Sequence, residues 1–178
     1  LRDRRYNMLN LKVANNCLMC GRCEAKCPVG INLNTLRLNS RAKRRNIPYE
    51  GRYKYLRGLD RSSGDGRVGY FAGCMTSLTP ATQHSMEQIF KAVGEDVWFA
   101  DRDGGVCCGR PLMLTGETDA ARKMVAYNTD LFRRHNITTL VTSCPICLRV
   151  FREHYRLDGI EVLHHSEYID RLMAQGRL

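Results

Sequence analysis

The order of apolar segments predicts an α/β fold, a parallel sheet with helices on its faces preceded by a small helical unit. Three observations carry this expectation. From residue 67 onward, short β-branched and aromatic runs alternate with longer segments of helical periodicity. Before that point the pattern is helical and loop-like. Charge divides at the same place: residues 1–67 hold 16 Lys and Arg against 5 Asp and Glu, a net +11, whereas residues 68–178 carry a net −1. The polar, glycine-rich stretch Arg61-Ser-Ser-Gly-Asp-Gly66 lies at the change. The expected domains are therefore 1–66 and 67–178.

In the first domain, residues 2–13 place Tyr6, Leu9 and Val13 on one side of a helix. Asn32 suits the N-cap of a second helix running through Leu33, Leu36 and Arg37 towards Arg45, before Pro48 and Gly51 break it. In the second domain, strands are expected over 67–73, 96–100, 138–142 and 160–163. Helices are expected over 80–93, 117–134, 144–155 and 166–175. The first of these sets Met86, Ile89, Phe90 and Val93 at helical spacing; the second does the same for Ala121, Met124, Val125, Leu131 and Phe132. Strand and helix in strict alternation describe a Rossmann-like parallel sheet. Ligands of such sheets bind beyond the C-terminal ends of the strands. Cys74 follows the first strand, Cys107 and Cys108 the second, and Cys144 and Cys147 the third. Five cysteines from three places are thus expected to meet at one edge.

Bulk properties narrow the chemistry. The 178 residues, 43% hydrophobic, are enough for one large or two small domains with a core. No apolar stretch approaches the roughly 18–20 residues that span a bilayer. The charged start Leu1-Arg-Asp-Arg-Arg lacks the apolar segment of a signal peptide. An odd count of nine cysteines with C-x-x-C spacings then reads as metal ligands in a reducing, cytoplasmic setting, not as disulfides. The basic first domain has three candidate partners: nucleic acid, acidic lipid and acidic protein. A solvated basic surface is the plainer reading. No nucleic-acid motif accompanies the charge, so no nucleic-acid partner is expected.

The first cysteine set is Cys17-Leu-Met-Cys20-Gly-Arg-Cys23-Glu-Ala-Lys-Cys27-Pro28. A C-x2-C-x2-C-x3-C-P run is the bacterial ferredoxin signature for a cubane [4Fe–4S] cluster. Thiolates on a tight turn each take one iron corner. Gly21 lets the backbone pass close to the cluster, and Pro28 leads the chain away. Zinc sites usually use two separated C-x-x-C pairs instead. In two-cluster ferredoxins the fourth cysteine of such a run serves the other cluster, so Cys27 is expected either to complete this cluster or to serve one whose other ligands lie upstream. The start at Leu1 favours the second option and a chain that is part of something longer.

The second set is Cys74, Cys107-Cys108-Gly109 and Cys144-Pro-Ile-Cys147, with 32 residues between Cys74 and Cys107 and 35 between Cys108 and Cys144. Phe71-Ala-Gly-Cys74-Met75, Cys107-Cys108-Gly109 and Ser143-Cys144-Pro-Ile-Cys147 resemble the cysteine-rich CCG domain of heterodisulfide reductase subunits. The relatives of those subunits include iron–sulfur subunits of glycerol-3-phosphate, glycolate and lactate oxidation systems. The resemblance covers residues 68–178 and extends to residue 17 through the ferredoxin run. It implies that Cys74, Cys107, Cys108, Cys144 and Cys147 hold a noncubane [4Fe–4S] cluster open to a disulfide sulfur, and are the catalytic residues. Some family members bind zinc there, which is four-coordinate and redox-silent and leaves one cysteine spare. Catalytic subunits of the family carry two CCG domains with the substrate between them; this chain has one. The resemblance implies an electron-transfer subunit or fragment of an oxidoreductase. Its partners would be a flavoprotein or a membrane quinone or cytochrome subunit, and any approach to the inner face of the membrane would be made through them. The alternative is a zinc-stabilised module that docks such a partner, with the first cluster as sole redox centre.

Several further positions draw notice. His164 and His165 follow the last strand, where a role at the start of a helix, bonded to backbone, is the plainer expectation. Asp101, Arg102 and Asp103 lead into the Cys107 loop, where interaction with a substrate is one reading and a solvated loop the plainer one; Arg110 reads as an offset to cluster charge, and Trp98 as core. Gly104-Gly105 reads as a turn, so no nucleotide cofactor is expected.

Overall fold

Four parallel strands form the centre of the larger unit: β1 (Val68–Phe71), β2 (Val97–Phe99), β3 (Thr139–Thr142) and β4 (Glu161–His164). They are ordered β2-β1-β3-β4. The computed structural model describes residues 12–42, 62–102 and 106–178. Register pairs Val68 with Val97 and Thr139, and Thr139 with Glu161. The α/β class and all four strands agree with the sequence expectation, within a residue or two at the ends.

Side chains of a strand alternate between faces, and the core divides accordingly. Tyr70, Phe99, Val141 and Leu163 face one way, into a cluster with Met86 and Phe90 of α3 (Pro80–Ala92) and Tyr168 and Leu172 of α7 (His165–Ala174). Tyr70 lies 4.9 Å from Phe99 and 5.4 Å from Phe90 between ring centroids. On the other face, Phe71 meets Phe151 at 5.0 Å, and Trp98 meets Phe132 at 6.0 Å. These partners come from α5 (Thr118–Arg134) and α6 (Pro145–His154). Edge-to-face packing of this kind adds about 0.5–1.5 kcal/mol per pair beyond the area buried. Trp98 is fully buried and stacks on His135 at 4.3 Å.

Three local features go beyond the sequence expectation. Cys74–Leu78 forms a 3-10 turn, and Arg110–Thr115 forms a short helix, α4, ahead of α5. Ser63, inside the expected connector, pairs antiparallel with Phe99 (Ser63 N–H to Phe99 O 3.1 Å, Phe99 N–H to Ser63 O 2.7 Å). That pairing covers part of the free edge of β2.

Among the described residues, two compact units are distinguished. One combines residues 12–42 with Pro111–Ala121; the other combines the described residues of Tyr55–Arg110 with Arg122–Leu178. In the first, residues 12–16 are helical, followed by α1 (Arg22–Ala25) and α2 (Leu33–Ala42). Asn32 Oδ1 accepts from Thr35 N at 2.8 Å, the cap expected from sequence. Most of the helix expected over 2–13, and the end of the one expected towards Arg45, lie outside the described residues, as do Asp103 and Gly104-Gly105. Among the described residues no helix is long and apolar enough to cross a membrane.

Candidate metal centres

The β1–β2 and β3–β4 crossovers leave in opposite directions, so strand order reverses between β1 and β3. At such a switch point the loops after the strands part and leave a crevice. Cys74 heads the 3-10 turn after β1. Cys144 sits at the N-cap of α6, directly after β3, and Cys147 lies in its first turn. Gly73 packs between them: a Cβ there would lie 2.8 Å from Cys144 Cβ and 3.4 Å from Cys147 Sγ, and its φ of +90° is one that L side chains rarely adopt. Cys107 and Cys108 arrive from the loop after β2.

The five sulfurs form one hydrogen-bonded series. Cys74 bonds Cys107, Cys107 bonds Cys108, Cys108 bonds Cys147, and Cys147 bonds Cys144. Protons are shared unequally along it. Bonds from Cys107 and Cys147, with the Arg110 backbone N–H, hold Cys108 down at about 4. The bond from Cys147 brings Cys144 down to about 6. Cys107 is pushed up to about 12 by its bond to Cys108. Cys147 and Cys74 are raised by the bonds they make to Cys108 and to Cys107 respectively. The series thus holds Cys108 and Cys144 below the ordinary thiol value and the other three above it, and metal binding would draw the remaining protons off. Among the described residues no group of three or more His, Cys, Asp or Glu side chains stands at metal-binding spacing.

Polar side chains fix the loops behind the sulfurs. The buried Asp101 carboxylate accepts from Ala72 N at 2.8 Å and Gly73 N at 2.7 Å, holding the turn into Cys74. Burial pushes this carboxyl up to about 6 against the pull of those two N–H groups. The solvated loop expected at Asp101 is thus corrected, because two amides at the end of β1 have no other acceptor there; Arg102 is exposed, 4.8 Å over the Phe99 ring. Asn128, fully buried on α5, donates to Cys107 O and to Tyr155 Oη, both at 2.8 Å, and Tyr155 Oη donates to Cys108 O at 3.0 Å. Sequence reasoning does not single out either residue. The available signal is Asn128 itself, an amide on the buried stripe of α5 between Met124 and Leu131. Arg110 supplies its backbone N–H to Cys108, in addition to any charge offset. His164 behaves as the plainer reading expects: its Nδ1 accepts from Ser166 N at 3.5 Å while Glu167 Oε2 accepts from His164 N at 2.7 Å, a reciprocal cap on α7.

The site is open on one side. Cys107, Cys108, Cys144 and Cys147 are buried, whereas Cys74 is exposed. Met75, Leu78 and Ile146, each adjacent in sequence to a cysteine or on the same turn, are more than half exposed at 55%, 72% and 52%.

The first cysteine run lies in the other unit. Gly21, at φ +77°, turns the chain between Cys20 and α1 in a conformation that favours glycine. Three of the four sulfurs already receive N–H donors: Cys17 from Met19 N at 3.3 Å, Cys23 from Arg37 Nη1 at 2.9 Å, and Cys27 from Ile31 N at 3.4 Å. The Ile31 bond, with those of Val29 and Gly30, draws the Cys27 thiol below its ordinary value. Glu24 ties α1 to α2 by accepting from Asn34 N at 2.7 Å and Asn34 Nδ2 at 3.1 Å. Arg41 donates to the carbonyls of Ala14 at 2.8 Å, Asn15 at 3.4 Å, Cys17 and Leu114. Both donor sets are thiol-only, with backbone N–H groups aimed at sulfur and, in the first set, the Arg37 guanidinium as well, and so suit soft thiolate-bound iron.

A family model described as a cysteine-rich domain, CCG, matches residues 68–152. Over those residues, just under half of its length, the chain is similar to CCG domains. Its β1, β2 and β3 and all five cysteines of the second set fall inside that match. Over 86% of its length the chain is 25% identical to an uncharacterised iron–sulfur protein of Methanococcus maripaludis, covering 36% of that protein. Over 88% it is 25% identical to one subunit of the fumarate reductase (CoM/CoB) of Methanothermobacter marburgensis, again covering 36%. It is also 24% identical, over 61% of its length, to the EtfAB:quinone oxidoreductase of Syntrophomonas wolfei, covering 16% of it. The chain is thus related to iron–sulfur proteins and to subunits of redox enzymes, and spans just over a third of the first two relatives. No solved structure matches it.

Proposed function

We propose that the chain is an iron–sulfur electron-transfer unit of a heterodisulfide-reductase-like oxidoreductase. The observation that carries this is the convergence of Cys74, Cys107, Cys108, Cys144 and Cys147 at the switch point of a parallel sheet, all five sulfurs in one bonded series. A zinc ion uses four thiolates and would leave one spare. The involvement of the fifth favours a noncubane [4Fe–4S] cluster held by all five. Cys17, Cys20, Cys23 and Cys27 would hold a cubane cluster, which supplies one-electron transfer when bound.

The chain's own residues then have defined tasks. Asp101 and Gly73 hold the turn that presents the exposed Cys74, and Asn128 and Tyr155 hold the Cys107-Cys108 backbone. The open side, fringed by Met75, Leu78 and Ile146, admits a disulfide or an apolar quinone-linked acceptor. Reduction of a disulfide consumes two electrons and two protons and yields two thiols; the electrons arrive singly through the first cysteine run. The donor and any membrane contact belong to partner subunits, in keeping with relatives that are a fumarate reductase subunit and a quinone oxidoreductase.

Metal analysis of the anaerobically purified chain tests this. About eight irons per chain are expected, four for each cluster. About four irons with one zinc would make the CCG site a structural module and defeat the noncubane assignment. Treatment of the oxidised protein with thiol and disulfide compounds is expected to produce a new paramagnetic signal that Cys74→Ser abolishes.

A further inference from the structure

We infer that Arg37 sets the reduction potential of the first cluster. This rests on the reading that Cys17, Cys20, Cys23 and Cys27 hold one. Arg37 stands on α2, outside the cysteine run, and its Nη1 donates to Cys23 Sγ at 2.9 Å. Cys17 lies beside the same guanidinium and interacts with it more weakly. One permanently charged group therefore bonds one of the four sulfurs and lies beside a second. The clamp between Glu24 and Asn34, through bonds of 2.7 and 3.1 Å, fixes α2 against α1 and so aims Arg37.

The direction of the effect follows from charge. Four thiolates make the site anionic in either redox state, and one-electron reduction adds a further negative charge. A hydrogen bond from a cation to sulfur gains strength as the sulfur becomes more negative. It therefore stabilises the reduced form more than the oxidised form and raises the potential. The guanidinium cannot be deprotonated, so it does this across the accessible pH range. A hollow of about 440 Å³ lined by Lys12, Val13, Asn16, Cys17 and Arg37 opens beside the bond. Lys12 brings a second positive charge to that hollow and provides a control for charge alone.

EPR-monitored redox titration with dithionite of the intact, iron-loaded chain tests the assignment. Arg37→Gln is expected to retain its iron and to titrate at a more negative midpoint than wild type. Arg37→Lys should fall between them, and Lys12→Gln should shift the midpoint less than Arg37→Gln. An iron-replete Arg37→Gln protein with an unchanged or more positive midpoint overturns the inference, as does a Lys12→Gln shift of equal size. If Arg37→Gln cannot hold iron, the wild-type protein labelled with guanidino-¹⁵N arginine decides: a nitrogen hyperfine coupling to the reduced cluster supports the bond, and its absence overturns it. A wild-type chain with no reducible cubane signal defeats the reading of the cysteine run itself, an outcome distinct from any of these.

Discussion

Glycine at position 73 is required by contact as well as by conformation. Its missing side chain is the space that Cys144 Cβ and Cys147 Sγ occupy, and its amide is one of the two that Asp101 holds. Gly73→Ala must displace one cysteine-bearing loop from the other and strain a backbone at φ +90°. We expect it to lose metal from the second site while the first keeps its complement, read as iron per chain. Gly94→Ala, also at positive φ but with nothing within 4 Å of the added carbon, should retain both. At this scale the sequence is legible where chemistry is written in spacing. Nine cysteines separate into two sets without coordinates. It is not legible where a residue acts through a neighbour distant in sequence. Asp101 bonds residues 28 and 29 positions away, and Arg37 reaches a sulfur 14 positions back. An aspartate in a loop and an arginine on a basic helix have solvated readings that only tertiary proximity overturns.

Elements are readable because period and punctuation agree. Short β-branched and aromatic runs in β1 and β3 and helical spacing in α3 and α5 locate each one, and Pro80 and Pro145 mark the first turns of α3 and α6. The short pieces, Cys74–Leu78 and Arg110–Thr115, span too few residues for a period to register. The start of α7 gives an element-scale prediction. Glu167 accepts from His164 N and from Arg152 Nη2 at 2.8 Å, and the His164 N–H lowers its carboxyl pKa most. A lowered carboxyl stabilises the fold above its unfolded value and loses that contribution as pH falls through the folded one. Glu167→Ala should cost about 0.5–2 kcal/mol near neutral pH, the range for a lost helix cap. The difference from wild type should vanish in acid, as followed by denaturant unfolding at a series of pH values.

At the scale of the whole molecule, strand order dictates where the structure opens first. β1 and β3 are hydrogen-bonded on both sides, whereas β4 is an edge and β2 is covered only at the Ser63 bridge. Amide exchange should be slowest at Tyr70, Leu140 and Val141 and faster at Trp98 and Leu163, measured site by site; a reversed order would contradict the topology. The sheet follows from the alternation of elements, but the grouping of Pro111–Ala121 with residues 12–42 does not, since no local pattern announces a contact across that separation. That grouping has a consequence for biosynthesis. The Leu114 carbonyl that Arg41 holds, while also holding that of Cys17, leaves the ribosome 73 residues after Arg41. The first cysteine run therefore emerges early and waits for its own scaffold, unfinished until Cys74, Cys107 and Cys108 have also been made. Assembly of the two centres is thereby linked in time, and a chain that stalls between them leaves the thiols of that first run exposed to oxidants.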